Sequence, residues 1–428
     1  MSASILPNST TPVFKQKITW LDKLAKKALF SRLPNIARGY LMIRDEHETY
    51  CFGNNEDSTY PQVSINVKDS RFYSAIAFGG SVAAGEAYFY GHWDCDDITA
   101  LVRLLLINRS MLDGMDNSFS CLQAPLLKGL HWLNRNTRAG SRRNISAHYD
   151  LGNEMFKLFL DSNMMYSSAI YPKKNSTLEE SSRYKLDRIC QKLQLSENDE
   201  VLEIGTGWGG FALHAAKNYG CKVTTTTISQ EQFDLASERV LKAGLEDKIT
   251  LLLADYRDLQ GQYDKIVSIE MIEAIGHHYI NDYFQQCSER LKPDGMMLIQ
   301  AITIVDQQYK AALKEVDFIK RYIFPGCFIP SVTAMQNAIT TSTDMRIFDL
   351  EDIGSHYART LHDWRIRFFE NIDAVKALGY SEAFIRLWEF YLCYCEGGFE
   401  ERAISNVQLL MVKPENRVDF SICEVSPY

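Results

Sequence analysis

The stretch "VLEIGTGWGGFALHAA", residues 201–216, decides the fold. A short apolar run, "VLEI", enters a glycine-rich turn and leaves it as an apolar-faced helix. That is how a βαβ unit begins. The rhythm continues downstream. "GGFALHAAKNYG" reads as a helix closed by a glycine cap, and "KVTTTTI" as a strand. "SQEQFDLASERVLKAG" reads as a helix N-capped by Ser229. "ITLLLAD", "YDKIVSIE" and "MMLIQAITI" are further strands. Strands alternating with helices predict an α/β, doubly wound, Rossmann-like parallel sheet with helices on both faces. Ligands of such sheets bind at the carboxyl ends of the strands, where the strand order reverses.

Gly205, Gly207 and Gly210 satisfy the GxGxxG spacing of a dinucleotide site. A dinucleotide also needs an acidic residue about 20 positions on, to hold the ribose hydroxyls. Thr224–Thr227 stand there instead, and the next acid, Glu231, falls inside a helix. S-adenosylmethionine (SAM) makes different demands. It carries no phosphate, so the glycines serve close backbone approach. Its ammonium wants an acceptor, and Glu203 can shape the turn or approach the amine. Asp255, just past a strand in "LLADYRDL", can accept from the exocyclic amine of adenine. "LKPDGMMLI" supplies a Pro-Asp-Gly turn into a later strand. Together these favour SAM over a dinucleotide and predict a class I SAM-methyltransferase sheet.

With 428 residues the chain has room for two or three domains. A net charge of −8 argues against a general nucleic-acid binder. The ten cysteines contain no CxxC pair, which speaks against a structural zinc site or a disulfide scaffold. No apolar run reaches the ~18 residues of a membrane span. Residues 1–15 read as a tail, and 16–116 as a smaller N-terminal α+β domain in which Asp96 or Asp97 caps a helix. Residues 117–145 form a linker without acidic residues but with Lys128, Arg135, Arg138, Arg142 and Arg143. Residues 146–428 form the catalytic domain, with a helical, aromatic lid over about 306–400.

"SAHYDLGNEMFKLFLDSNMMYSSAIY" (146–171), "VLEIGTGWGG", "TTISQEQ", "DYRDL", "RYIFPGCFIPS" (321–331) and "YLCYCEGGFEERAISNVQLLMV" (391–412) together resemble the cyclopropane-fatty-acid synthase family. The resemblance implies methyl transfer from SAM to the cis double bond of an unsaturated phospholipid acyl chain. It implies a cytoplasmic enzyme in transient contact with the inner face of a membrane, and a homodimer. It carries the SAM contacts onto Tyr166, Ser167, Gly205, Gly207, Thr227, Gln232, Asp255 and Tyr256. Methylation of an alkene leaves a carbocation, which survives where water is excluded and π-faces or anions stabilise it. Tyr149, Tyr166, Phe318, Tyr322, Tyr357, Trp364 and Tyr391 are candidates for that lining.

The synthases hold a bicarbonate that removes the proton. The equivalent positions here are Ser168, Glu273, Gln300, Ile302 and Tyr357; serine replaces the family's cysteine, and glutamine its histidine. Gln300 can bond an ion but cannot carry a charge or relay a proton. Glu270, usually glycine in the synthases, stands three residues before Glu273. In a helical turn the two would share a face. Close carboxylates do not readily ionise together, so one would be held as an acid while the other serves as base. A repositioned base would favour a methyl- or methylene-branched product over a cyclopropane. The alternative is a small-molecule N-methyltransferase of the same fold, weakened by Ala274 where that class places a histidine. His277–His278 lack a carboxylate at ligand spacing, so no metal is expected.

Overall fold

A computed structural model describes residues 19–46, 48–112 and 152–417. The tail at 1–15, the basic linker at 117–145 and Tyr149 lie outside the described residues. The chain divides into two compact units.

The first unit comprises 1–133, 314–325 and 368–403. Its strands β1 (Tyr40–Arg44), β2 (Thr49–Gly53), β3 (Gln62–Val67) and β4 (Trp93–Cys95) form a sheet in the order β2-β1-β3-β4. Only β1 and β3 pair in parallel. Helix Trp20–Phe30 begins at a capping box in which Thr19 and Asp22 satisfy one another's backbone N–H groups. Helix Ile98–Ile107 begins at Asp97, whose carboxylate accepts from Ala100 N–H at 2.8 Å. Helix Glu382–Glu400 approaches helix Ile98–Ile107 closely at Gly397, where an added Cβ would stand 2.9 Å from Val102. Stretches 314–325 and 368–403, read from sequence as parts of one lid, group with this unit, whereas 326–367 stays with the second.

The second unit holds seven strands: β5 (Glu200–Ile204), β6 (Lys222–Thr227), β7 (Ile249–Leu253), β8 (Tyr263–Ile269), β9 (Leu291–Ile304), β10 (Arg346–Asp352) and β11 (Ile404–Val412). They lie in the order β10-β11-β9-β8-β5-β6-β7. Strands β5 to β9 run parallel, and β10 and β11 are antiparallel additions. The doubly wound α/β sheet expected from the sequence is present. From β5 the chain proceeds outward to β6 and β7, then returns to β8 on the other side. The reversal therefore lies between β5 and β8, and ligands bind at its carboxyl edge.

Period-two alternation sorts the side chains. Leu202, Ile204, Ile266, Met297 and Ile299 pack with Tyr283 and Phe284 of helix Ile280–Arg290 and with Met335 of helix Val332–Ser342. Val201, Val223, Val267, Met296 and Leu298 pack on the opposite face. There they meet Leu186 and Ile189 of helix Leu178–Lys192, Phe211 of helix Gly210–Tyr219 and Val240 of helix Gln230–Ala243. Ser229 caps the last of these through Gln232 N–H, and Gly220 closes its predecessor in a left-handed conformation.

Candidate functional site

The turn after β5 is stitched to its neighbour before any ligand is considered. Gly205 N–H and Thr206 N–H both donate to Thr226 C=O, at 3.0 Å each. Gly205 and Gly207 have φ of 101° and 52°, which glycine adopts without steric cost. A Cβ on Gly207 would meet nothing within 4 Å, so this side of the turn is open to a close-lying ligand. Glu203 lies beneath it, 3% exposed. Thr206 hydroxyl donates to Thr225 at 2.7 Å, and Thr225 hydroxyl donates to Glu203 Oε2 at 2.6 Å. Burial raises the Glu203 carboxyl to about 8. Glu203 therefore braces the turn as a hydrogen-bonded acid.

At the end of β6, Thr227 hydroxyl donates to Gln232 Oε1 at 2.8 Å. The Gln232 amide is thereby oriented, with Nε2 as its donor. Past β7, Asp255 is gripped by Arg257, Nε to Oδ1 at 2.8 Å and Nη2 to Oδ2 at 2.6 Å. The fork fixes the carboxylate's orientation. Tyr256 packs edge-on against Tyr283, 5.5 Å between centroids. An open glycine turn, an oriented amide and a clamped carboxylate at three successive strand ends fit a SAM molecule. Glycine, Gln232 and Asp255 would face its amino-acid portion, ribose and adenine respectively.

The residues at the end of β8 form a second constellation. Glu270 follows the strand with φ of 50°, an uncommon conformation for a side chain with a Cβ, costing roughly 1–2 kcal/mol. The sequence reading places Glu270 and Glu273 on one helical face. Instead Glu270 is a left-handed strand terminus, and only Ile272–Ala274 form a 3₁₀ turn. Ser168 N–H donates to Glu270 Oε1 at 2.9 Å, Gln300 Nε2 at 2.8 Å and Asn406 Nδ2 at 2.5 Å. Tyr357 hydroxyl donates to Oε2 at 2.7 Å. Ser168 contributes its backbone; its hydroxyl donates to Ala169 C=O. Gln300 lies on β9 directly opposite Gln408 of β11, whose Nε2 donates to Gln300 Oε1 at 3.1 Å.

Glu273 is set apart from this cage. Its Oε1 accepts from Ile302 N–H at 2.6 Å, while its buried Oε2 has no hydrogen-bond partner. Burial, then the nearby charge of Glu270, raises its carboxyl to about 8. Lys185, fully buried on helix Leu178–Lys192, donates to Ser167 Oγ at 2.8 Å. Burial lowers its ammonium to about 8 against the opposing pull of Glu270, Asp161 and Glu203.

Aromatic rings gather beside the Glu270 cage. Trp364 lies 6.1 Å from Tyr357, 5.2 Å from Tyr166 and 6.1 Å from Phe159. Phe156 joins Tyr166 at 5.1 Å to Trp208 at 5.0 Å, and Trp208 is anchored by its Nε1 on Asn153. Phe318, Tyr322 and Tyr391 belong to the first unit, where they pack on Phe390, Phe89 and Trp388.

Asn406, Gln408 and Lys185 were not singled out from the sequence. For the first two a signal existed: "ISNVQLLMV" carries two amides at alternate positions of an otherwise apolar strand, hence on one face. Lys185 lies in a polar helical stretch and gave none. Among the described residues no group of three or more His, Cys, Asp or Glu could hold a metal ion.

The model of the mycolic acid cyclopropane synthetase family matches residues 136–409. The chain is similar to the tuberculostearic acid methyltransferase of Mycobacterium tuberculosis, at 34% identity over 91% of this chain and 92% of that protein. It is also similar to the cyclopropane-fatty-acyl-phospholipid synthase of Escherichia coli, at 36% identity over 81% of this chain and 87% of that one. A solved mycolic acid cyclopropane synthase, complexed with SAH and CTAB, superimposes with a TM-score of 0.59 at 29% identity. It covers 64% of this chain and 98% of its own.

Proposed function

Since the chain belongs to the mycolic acid cyclopropane synthetase family and is a SAM-dependent methyltransferase, we propose that it methylates the cis double bond of an unsaturated phospholipid acyl chain. It does so at the inner face of a membrane, in the cytoplasm. The product is a methyl- or methylene-branched chain, or a cyclopropane. Relatives at similar identity are named for each kind of chemistry, a tuberculostearic acid methyltransferase and a cyclopropane synthase.

One observation carries the reading: Tyr166, Trp364 and Tyr357 form a chain of contacting aromatic rings that ends, through the Tyr357 hydroxyl, on the carboxylate of Glu270. An alkene is a weak nucleophile, and its methylation leaves positive charge on carbon. Aromatic faces stabilise that charge and exclude water, and a nearby anion adds to the effect. Bound SAM supplies the electrophilic methyl. Gly205 and Gly207 let it lie close to the backbone, and Gln232 and Asp255 orient its ribose and adenine. Tyr357 holds the Glu270 carboxylate toward the rings, and Gln300 and Asn406 fix its other oxygen.

The test is incubation of the purified chain with SAM and vesicles of unsaturated phospholipid, followed by mass spectrometry of the released fatty acids. The expected result is a mass gain of one methylene equivalent on the unsaturated chain only. Fragmentation then distinguishes a ring from a branch. Methylation of soluble amines with none on lipid would overturn the reading in favour of an N-methyltransferase.

A further inference from the structure

The family resemblance calls for a free anion at the base position, held by the counterparts of Ser168, Glu273, Gln300, Ile302 and Tyr357. The residues present do not fit one. Ser168 N–H, Gln300 Nε2 and the Tyr357 hydroxyl each donate to the carboxylate of Glu270, and the Ser168 hydroxyl is turned to Ala169 C=O. Ile302 N–H is taken by Glu273. Asn406 adds a further donor to Glu270, not to a vacant space. A separate bicarbonate would meet two carboxyl groups where it needs donors.

We infer that the Glu270 side chain is itself the general base, a tethered carboxylate in the position of the dissolved ion, with Oε2 as the accepting atom. The inference rests on the proposed methyl transfer. Geometry selects the atom. Oε1 takes three N–H donors, whereas among the described residues Oε2 takes only the hydroxyl of Tyr357, whose ring stands edge-on to Trp364. Glu270 is also partly exposed, unlike the fully buried Ser168, Gln300 and Asn406 that surround it, so a substrate can reach it. The raised carboxyl of Glu273 is consistent with this division of labour: it keeps its proton while its neighbour accepts one.

The step balances without a further reagent. The alkene π pair bonds to the methyl carbon as the methyl–sulfur bond breaks, and the sulfur leaves with that pair as the neutral thioether of SAH. The cationic carbon then receives the electron pair of a C–H bond. If the bond belongs to the new methyl, a ring closes; if it belongs to a flanking carbon, an alkene remains beside the branch. In either case the proton passes to Oε2, and the resulting acid returns it to water before the next turnover.

Two readouts test this, one of them independent of turnover. In CO2-stripped buffer, ¹³C-bicarbonate should show no binding by NMR to the wild-type chain and clear binding to Glu270→Gly, whose vacated cage regains free donors. Equal binding to both proteins overturns the inference. In the lipid assay, wild-type turnover should not change when bicarbonate is added. Glu270→Gly should lose about 100-fold or more, with SAH affinity kept, and should recover with added bicarbonate or formate. Wild-type turnover that rises with bicarbonate, or full activity of Glu270→Gly without it, overturns the assignment. Glu270→Gln keeps the cage filled and guards against misfolding of the glycine variant; it should bind SAH, lose turnover to a similar extent and resist rescue. A wild type that excludes bicarbonate yet methylates no lipid overturns the proposed reaction and the base role with it, but not the occupancy of the cage.

Discussion

Glu273 keeps its proton to about pH 8 in the folded chain, against 4.5 for the ordinary side chain. A raised carboxyl means the folded state binds the proton more tightly. Its stabilising effect is complete below 4.5 and is withdrawn as pH climbs through about 8. Glu273→Gln keeps the shape of the protonated acid and has nothing to ionise. Its unfolding free energy, and with it the melting temperature, should therefore gain on the wild type as pH rises across that window, the free energy by on the order of 1 kcal/mol per pH unit, and the two should behave alike in acid. Thermal melts over a pH series would show it; parallel curves would place the proton elsewhere. At this scale the sequence was partly legible. Glu270 and Glu273 stood out as a carboxylate pair, but their relation did not, because the left-handed backbone at Glu270 breaks the helical spacing. Asn406 stayed hidden for another reason. It meets Glu270 across 136 positions, and Ser168 meets it across 102. Nothing local to either residue announces such a partner.

Among the elements, the seam between helix Ile98–Ile107 and helix Glu382–Glu400 depends on a missing side chain. Gly397 has no room for a Cβ, since Val102 and the carbonyl of Thr99 stand 2.9 and 3.1 Å from its place. Gly397→Val forces these helices apart and should cost roughly 1–3 kcal/mol, read as a lowered unfolding midpoint in urea. A midpoint equal to wild type would mean the seam yields freely. Strands β5 to β9 were legible because apolar runs of strand length alternated with capped helices. Strands β10 and β11 were not. β10 reads "RIFDLED", with charges on a mostly exposed edge, and lies in a stretch that is helical on average. β11 follows directly on a long aromatic helix, with two amides interrupting its apolar run.

For the whole molecule, the chain order and the compact units do not coincide. The first unit recruits 314–325 and 368–403 in addition to its N-terminal residues. A truncated chain beginning at residue 146 would keep helix Glu382–Glu400 but lose helix Ile98–Ile107, against which it packs. It would also lose Tyr88, whose hydroxyl donates to Glu389 at 2.7 Å and whose ring lies under the Arg386 guanidinium. The exposed face would carry Phe390, whose ring packs on Tyr88 and Trp93 in the full chain. The truncated chain should aggregate more readily than the full chain on expression; size-exclusion chromatography compares them directly. A monodisperse, folded fragment would show that the later residues need no N-terminal partner. The division was only half legible, because a break in composition near residue 117 marks where the chain leaves one unit but not where it returns.

The left-handed turn at Glu270 also bears on how such a site can arise. Glycine rests easily in that conformation, and the codons GGA and GGG become glutamate codons by a single base change. A scaffold already bent for glycine would accept the new side chain without being rebuilt. That one mutation would free the enzyme's rate from the cell's supply of dissolved carbon dioxide.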